Sequence, residues 1–519
     1  MMDGKLLEKA GAVAAVVASL VGAVVMYAKR EYRSIVASNN VTVDEWTNSS
    51  PSTMETIQAV IAFKLASRYN KSDEAYPIAA QESANVKGLL TTRRAKEGES
   101  LKSNKTKPPL IIGTMRMGFG HERIAQGVAS WALDACKQDD RDVYFHDIVN
   151  INSPEAEFVS EAETLYSHGS RLMTEQPHFM ENRISKMTSS GGTNALRIQC
   201  LVASIFISVL AGLDKNSPII STHPLVGAIA VAAGFHNVVN LVVDNHAQWF
   251  VVVPGALNLV QGPRAYQELV KLGVPPQEME LAGHWCHKQI VKDIPQVVDR
   301  RIRRLQNGKP LRLLIPVGGA GAQESVLKNL VKACTPLVKS GKVQLFLNAG
   351  DHSHMKEMFE KQLDDSKLDF DLITTVDDLR LFRQHLEANE SNEPRKPVTL
   401  FAYKSVSPAV STTDDLANVS DVLVCKPSEM AFYSIPKLMI RRVGDHEQKS
   451  ALRAAELGDG TLEARTVREI MKNVHVFLDS PQVLINMNKS IEKNNDIEIY
   501  QGLEIAVKRA LDRANEHNA

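Results

Sequence analysis

The sequence predicts an α/β protein built from two doubly wound, Rossmann-like domains that face each other across a cleft. From Pro108 onward, short β-rich runs alternate with turns and amphipathic helices, as parallel α/β units require. These units fall into two series, separated by the charged, Gly-containing stretch DRRIRRLQNGK within Lys288 to Lys309. The chain has 519 residues, 44% hydrophobic and 23% charged, which suits two filled cores and excludes a disordered or collagen-like chain. Sixty Lys+Arg balance sixty Asp+Glu, so charge gives no case for nucleic acid as a partner. The cysteines are five, odd in number and scattered, which fits reduced thiols rather than a disulfide framework.

Residues 1–30 read as an N-terminal membrane anchor. Ala10 to Ala28 run nineteen positions without a charge, and a helix of that length measures about 28 Å, enough to span a bilayer. A cleaved signal peptide is the competing reading. Lys29, Arg30 and Arg33 follow the run, which places the body on the cytosolic side of a single-pass membrane protein. Residues 31–107 read as a polar tether with one short helical patch near Met54 to Tyr69. Its sequons at Asn40, Asn48, Asn70 and Asn104 matter only if the segment is luminal.

Residues 108–290 form the first wound domain, with strands in PLIIGT, DVYFHDI, PIIST, VVNLVVD, LNLVQG and MELAG. Its helices are expected near His121 to Lys137, Glu155 to Met173, Leu225 to Ala233 and Ala265 to Leu272. Residues 291–479 form the second, with LRLLIPVGG, VQLFLNAG, FDLITTV, VTLFAY, DVLVCKP and KLMIRR. Residues 480–519 read as C-terminal amphipathic helices. In such sheets ligands bind beyond the carboxyl ends of the strands, so function is sought in the strand-to-helix turns.

In the first domain PLIIGT leads into MRMGFGHERIAQ, with Gly118 and Gly120 before a helix that opens near His121. Glycines admit a ligand to the backbone, and a histidine at a helix start has its cationic form disfavoured, which suits proton acceptance. A helix-capping role explains the same residue. His223 in STHP follows another strand end, with a packed or capping histidine as the alternative.

In the second domain Gly318, Gly319 and Gly321 stand between a strand and a helix, the form of a phosphate-cradling loop, with neither GK[ST] nor a full GxGxxG. Asn348 and Gly350 end the next strand, where a nucleotide base or simply a tight turn is accommodated. At DVLVCKPSEM a strand ends at Lys426 and a helix opens at Ser428 and Glu429. Glu429 reads either as a helix-dipole partner or as the carboxylate that a ribose diol needs. Glu447 and Gln448, in the turn GDHEQ, are placed to read sugar hydroxyls. HWCH at His284 to His287 lacks a second cluster and is not read as a metal site, DHSH at Asp351 to His354 reads as a capped polar turn, and no GxSxG elbow is present.

These turns together resemble the GT-B glycosyltransferases of the group comprising monogalactosyldiacylglycerol synthase, processive diacylglycerol glucosyltransferase and the peptidoglycan lipid-intermediate N-acetylglucosaminyltransferase. The resemblance runs from about Pro108 to Gly460: MGFGHERIAQGVASWAL resembles the family's GGGH opening, IPVGGAGAQ its donor glycine loop, SEMAFYSIPKLMI its ribose-binding Glu seven residues before a Pro, and GDHEQKSA its polar sugar loop. It implies a UDP-sugar held by Gly318, Gly319, Gly321, Asn348, Gly350, Lys426, Ser428, Glu429, Glu447 and Gln448. It implies an acceptor, lipid or membrane-proximal, at Gly118, Gly120 and His223. His121 would be the base and Asp244 an orienting or acceptor-side residue, with no metal and no cofactor beyond the nucleotide-sugar co-substrate. Two features depart from the family: Phe119 follows Gly118, and the loop at Lys426-Pro427-Ser428-Glu429 is short, which alters the phosphate contacts. A UDP-sugar epimerase or hydrolase of the same fold, and a non-catalytic nucleotide-sugar-binding descendant, remain as rivals.

Overall fold

The computed structural model describes residues 22–39, 41–70, 75–84, 86–99, 101, 105–116, 119–161, 192–319, 321–389, 391–442 and 447–517. Its first sheet comprises β1 (Ile78–Glu82), β2 (Leu89–Arg94), β3 (Leu110–Thr114), β4 (Val143–Asp147), β5 (Ile219–Ser221), β6 (Val238–Leu241), β7 (Leu257–Val260) and β8 (Met279–Leu281). The spatial order is β1-β2-β4-β3-β5-β6-β7-β8, parallel except for the β1–β2 pair. The second sheet comprises β9 (Leu311–Pro316), β10 (Val343–Gly350), β11 (Phe370–Ile373), β12 (Val398–Ala402), β13 (Val422–Cys425) and β14 (Lys437–Met439), in the order β11-β12-β10-β9-β13-β14 and parallel throughout. The central strands are buried along their whole length, as sheets covered by helices on both faces demand.

All twelve strands expected from Pro108 onward form, each starting within a residue of its sequence run and ending up to three residues before the run does. The stretch 31–107 differs from expectation. It is no free tether, because β1 and β2 add to the first sheet through Leu89 to Thr91 paired with Val143 to Phe145. The strands IAAQE and LLTTRR sit at a sheet edge and mix polar with apolar residues, so their hydropathy does not announce them. Helix Thr53–Ser67 opens on a capping box between Ser52 and Glu55 and packs on helix Thr193–Ile205. Residues 22–38 are helical, and Tyr32 and Ile35 pack there against Ala59, Val60 and Leu201.

The expected anchor at 10–28 lies mostly outside the described residues. Among those described, no helix is long and apolar enough to cross a membrane. The helix expected over Glu155 to Met173 is described only as far as residue 161.

The C-terminal helices belong to both domains. Helix Gln482–Asp496 places Leu484, Ile485 and Met487 in the second domain's core. Helix Gly502–His517 returns to the first, where Leu503, Ala506, Val507 and Ala510 pack with Ile112, Ile124 and Val239. This return needs a close backbone crossing. At Gly283, with φ of 93°, an added Cβ would lie 2.6 Å from the Ile499 carbonyl oxygen.

Candidate functional site

In each sheet the chain winds outward in both directions from one strand pair, and the crevice at such a switch point is where wound sheets bind ligands. In the first sheet the pair is β3 and β5. Beyond β3 the chain runs through Arg116 and Phe119 into helix Gly120–Gln138, and beyond β5 through Thr222 and His223 into helix Pro224–Ala232. His121 Nδ1 lies 2.6 Å from the Thr222 carbonyl oxygen. A carbonyl only accepts, so Nδ1 carries the proton and Nε2 is left as the basic nitrogen. His223 Nδ1 accepts the Leu225 N–H at 3.1 Å, and the two imidazoles meet edge to face with centroids 4.5 Å apart.

Burial holds His121 below the ordinary imidazole value, partly offset by the negative charges of Asp244 and Glu429. Burial and the neighbouring His121 hold His223 well below it. Beside them Asp147, at the end of β4, is pushed up to about 7 by burial and by Glu122, whose own carboxyl is raised by burial.

In the second sheet the pair is β9 and β13. β9 delivers Gly318, Gly319 and Gly321, followed by helix Glu324–Lys339, and β13 delivers Lys426, Ser428 and Glu429. The two turns are in contact: a Cβ on Gly318 would lie 2.9 Å from Lys426 Cε. Gly321 has φ of 62°, and a side chain there would run into His354, whose Nε2 lies 3.2 Å from the Gly321 carbonyl oxygen. The helix expected at Ser428–Glu429 is a single 3-10 turn, Glu429–Phe432. Pro436 restricts Ile435 to extended backbone, and the chain must enter β14 at Lys437.

The two switch points face each other. A Cβ on Gly120 would lie 3.3 Å from Glu429 Oε2. Phe119 stacks on His352 with centroids 5.3 Å apart, and Arg116 pairs with Asp351 at 3.6 Å. Arg123, two residues beyond His121, enters the second domain and donates from Nη1 to the Val410 carbonyl, Asp414 Oδ1 and the Tyr433 hydroxyl, at 3.0, 3.0 and 2.9 Å.

Thus His121, Gly120, His223, Gly318, Gly319, Gly321, Lys426, Ser428, Glu429 and Gly350 gather at the facing turns. Asp244, beyond β6, reaches His121 through its charge. Gly118 lies outside the described residues. Three residues have settled places of their own. Asn348 bonds the Ala409 carbonyl and Thr413 Oγ1 and accepts the Gly350 N–H, so its side chain shapes the turn from within. Glu447 is buried and pairs with Lys426 at 2.5 Å. Gln448 is exposed and lines a separate pocket with Arg442, Leu462 and Arg465.

The sequence reading missed Arg116, Arg123, Asp414, Tyr433 and His352 as neighbours of the cleft. Arg123 stands amid the buried face of an amphipathic helix, at Ile124, Ala125 and Val128, and an arginine in such a stripe is the signal that was available. Among the described residues no group of three or more His, Cys, Asp or Glu is arranged to hold a metal ion. His284 lies within the domain crossing, with Nδ1 3.1 Å from the Phe432 carbonyl oxygen.

Residues 51–270 match the family model of a domain of unknown function, DUF6937, and residues 274–511 that of another, DUF6938. No curated protein matches the chain. Among solved structures the chain is similar to UDP-GlcNAc 2-epimerase from Neisseria meningitidis bound to UDP-GlcNAc, at 11% identity over 78% of this chain and 99% of that one, with a TM-score of 0.40. It is similar to MnaA of S. aureus with UDP, at 12% identity over 79% and 97% of the two chains and a TM-score of 0.42. It is similar also to the Methanocaldococcus jannaschii UDP-GlcNAc 2-epimerase in complex with UDP-GlcNAc and UDP, at 13% identity over 76% and 99%, with a TM-score of 0.38. The chain's own two parallel sheets and two domains are consistent with the GT-B arrangement.

Proposed function

We propose that the protein is a glycosyltransferase that binds a nucleotide-sugar, most simply a UDP-sugar, in the cleft and moves the sugar to a lipid or membrane-proximal acceptor. The observation that carries this reading is the meeting of the two switch points, which sets an oriented histidine with a lowered pKa on one wall and a glycine turn beside the Glu429 carboxylate on the other. The diphosphate would lie against the Gly318–Gly321 turn at the start of helix Glu324–Lys339, where main-chain N–H groups meet negative charge. Glu429 would accept from the ribose hydroxyls, and His121 Nε2 would take the acceptor's proton as the diphosphate leaves. The uncharged run Ala10 to Ala28, with Met26 and Tyr27 exposed near its end, and the exposed Ile61 and Leu65 of helix Thr53–Ser67 support an acceptor at a bilayer.

One observation favours a second reading, an epimerase or hydrolase. Half-buried Glu122, next to His121, and buried Asp147, at the end of the adjacent strand β4, both have carboxyls raised by burial, an acid and base set that a reaction on the UDP-sugar alone would use.

Calorimetric titration of the full chain in detergent with UDP, UDP-glucose, UDP-N-acetylglucosamine and GDP-mannose tests the donor site. Uridine nucleotides are expected to bind selectively. Glu429→Ala should weaken them by about 1.5–3 kcal/mol, roughly tenfold to a hundredfold, the worth of hydrogen bonds to a charged group. Binding to none of the four would end the proposal. Radiolabelled sugar appearing in extracted lipid supports transfer, whereas an isomerised or free sugar formed without lipid supports the second reading.

A further inference from the structure

We propose that Arg123 is a positioning residue that reaches from the first domain to set the carboxylate of Glu429 for its ligand; this rests on the reading of the cleft given above. Arg123 is carried by the same helix as His121 and is 5% exposed. Its Nη1 is saturated by the Val410 carbonyl, Asp414 and Tyr433, all from the second domain, so the guanidinium is fixed in orientation. Tyr433 in turn donates to Asp414, which closes the network. The remaining face presents Nε toward Glu429. The Nε to Oε1 separation is 3.9 Å, beyond a hydrogen bond, and Nε is buried with no hydrogen-bond partner among the described residues.

A buried donor left unmade is costly, and a guanidinium beside two carboxylates remains charged. Nearby, Ser428 Oγ is also buried with no hydrogen-bond partner among the described residues, so the polar groups around Glu429 are only partly satisfied. A small closing movement of the Glu429 turn would give Nε its bond and hold one carboxylate oxygen, leaving the other toward the cleft. Because Arg123 and His121 sit on one helix, the base and the ribose-binding carboxylate would then be set by a single rigid element across the domain boundary.

The test is a double-mutant cycle on UDP affinity, measured by calorimetry on the full chain with wild type, Arg123→Lys, Glu429→Ala and the double variant. Lysine keeps a positive charge for Asp414 but lacks the second arm toward Glu429. Arg123→Lys should weaken UDP about tenfold in the wild-type background and less than about twofold where Glu429 is already alanine, as coupled contacts behave. Thermal melts verify that each variant is folded, and Arg123→Gln replaces the lysine variant if that one is not. Equal losses in both backgrounds would show a general structural role and overturn the proposal, as would unchanged affinity in Arg123→Lys. A wild-type chain that binds no UDP overturns the cleft reading itself, and this inference with it.

Discussion

The turns at the two switch points occupy equivalent places in their sheets but are built from opposite materials. The first is crowded with titratable groups, His121, His223, Glu122 and Asp147, each shifted toward its neutral form by burial. The second is richer in glycine and main chain, with Glu429 at the turn, His354 against Gly321 and Lys426 paired to Glu447. Burial of ionisable groups without full pairing is costly and accumulates where proton transfer is needed, whereas glycine turns give room for a ligand's phosphates. Under the proposed function, this contrast would put the chemistry on the first wall and the holding of the donor on the second.

The sharpest way to break this comparison is His121→Ala. Turnover of a nucleotide-sugar should fall by about a hundredfold to ten-thousandfold, the span of general-base contributions, while UDP affinity measured by calorimetry stays within about twofold. If affinity falls in step with turnover, the division between the walls is wrong.

A smaller effect concerns pH. The native Asp147 carboxyl titrates at about 7, whereas an unfolded aspartate titrates near 3.9. Between these values the folded state binds the extra proton, so this group's contribution to stability is complete below about 3.9 and is lost as pH rises through about 7. The buried His146, held down at about 4 by burial, acts in the opposite sense. Its contribution is complete above the ordinary imidazole value, near 6.5, and is lost as pH falls toward 4. Asp147→Asn removes only the first trend. Relative to wild type, that variant should gain stability at pH 7 and lose it progressively toward pH 4, as read by urea unfolding at several pH values. A difference that does not change with pH would show that the carboxyl ionises normally.

The smallest effect expected is for Gln448→Ala. Its side chain lines a pocket with Arg442 and Leu462, separate from the turns that hold Gly318 and Glu429, so UDP affinity should change by less than about twofold. A tenfold loss in calorimetry would place the sugar loop in the cleft after all.

Much of this architecture was legible from residues alone. The central strands, such as LIIGT and VLVC, are nearly continuous apolar runs, the mark of strands buried on both faces, and the turns after β3, β5, β9 and β13 carry conspicuous Gly, His or Glu residues. The edge strands β1 and β2 were hidden because a half-covered hairpin needs no such run. The return of helix Gly502–His517 to the first sheet was hidden too, because an amphipathic helix does not specify which apolar surface it covers.

What the sequence by itself determined is therefore local: period, turn chemistry and the order of the wound units, each set by neighbouring residues along the chain. Only the tertiary structure decided that Glu429 would lie against Gly120, that Arg123 would enter the second domain, and that Asn348 would turn inward while Gln448 joined a separate pocket. Those outcomes depend on side chains hundreds of residues apart competing for the same buried space and the same hydrogen-bond partners, and no local pattern encodes which of them succeed.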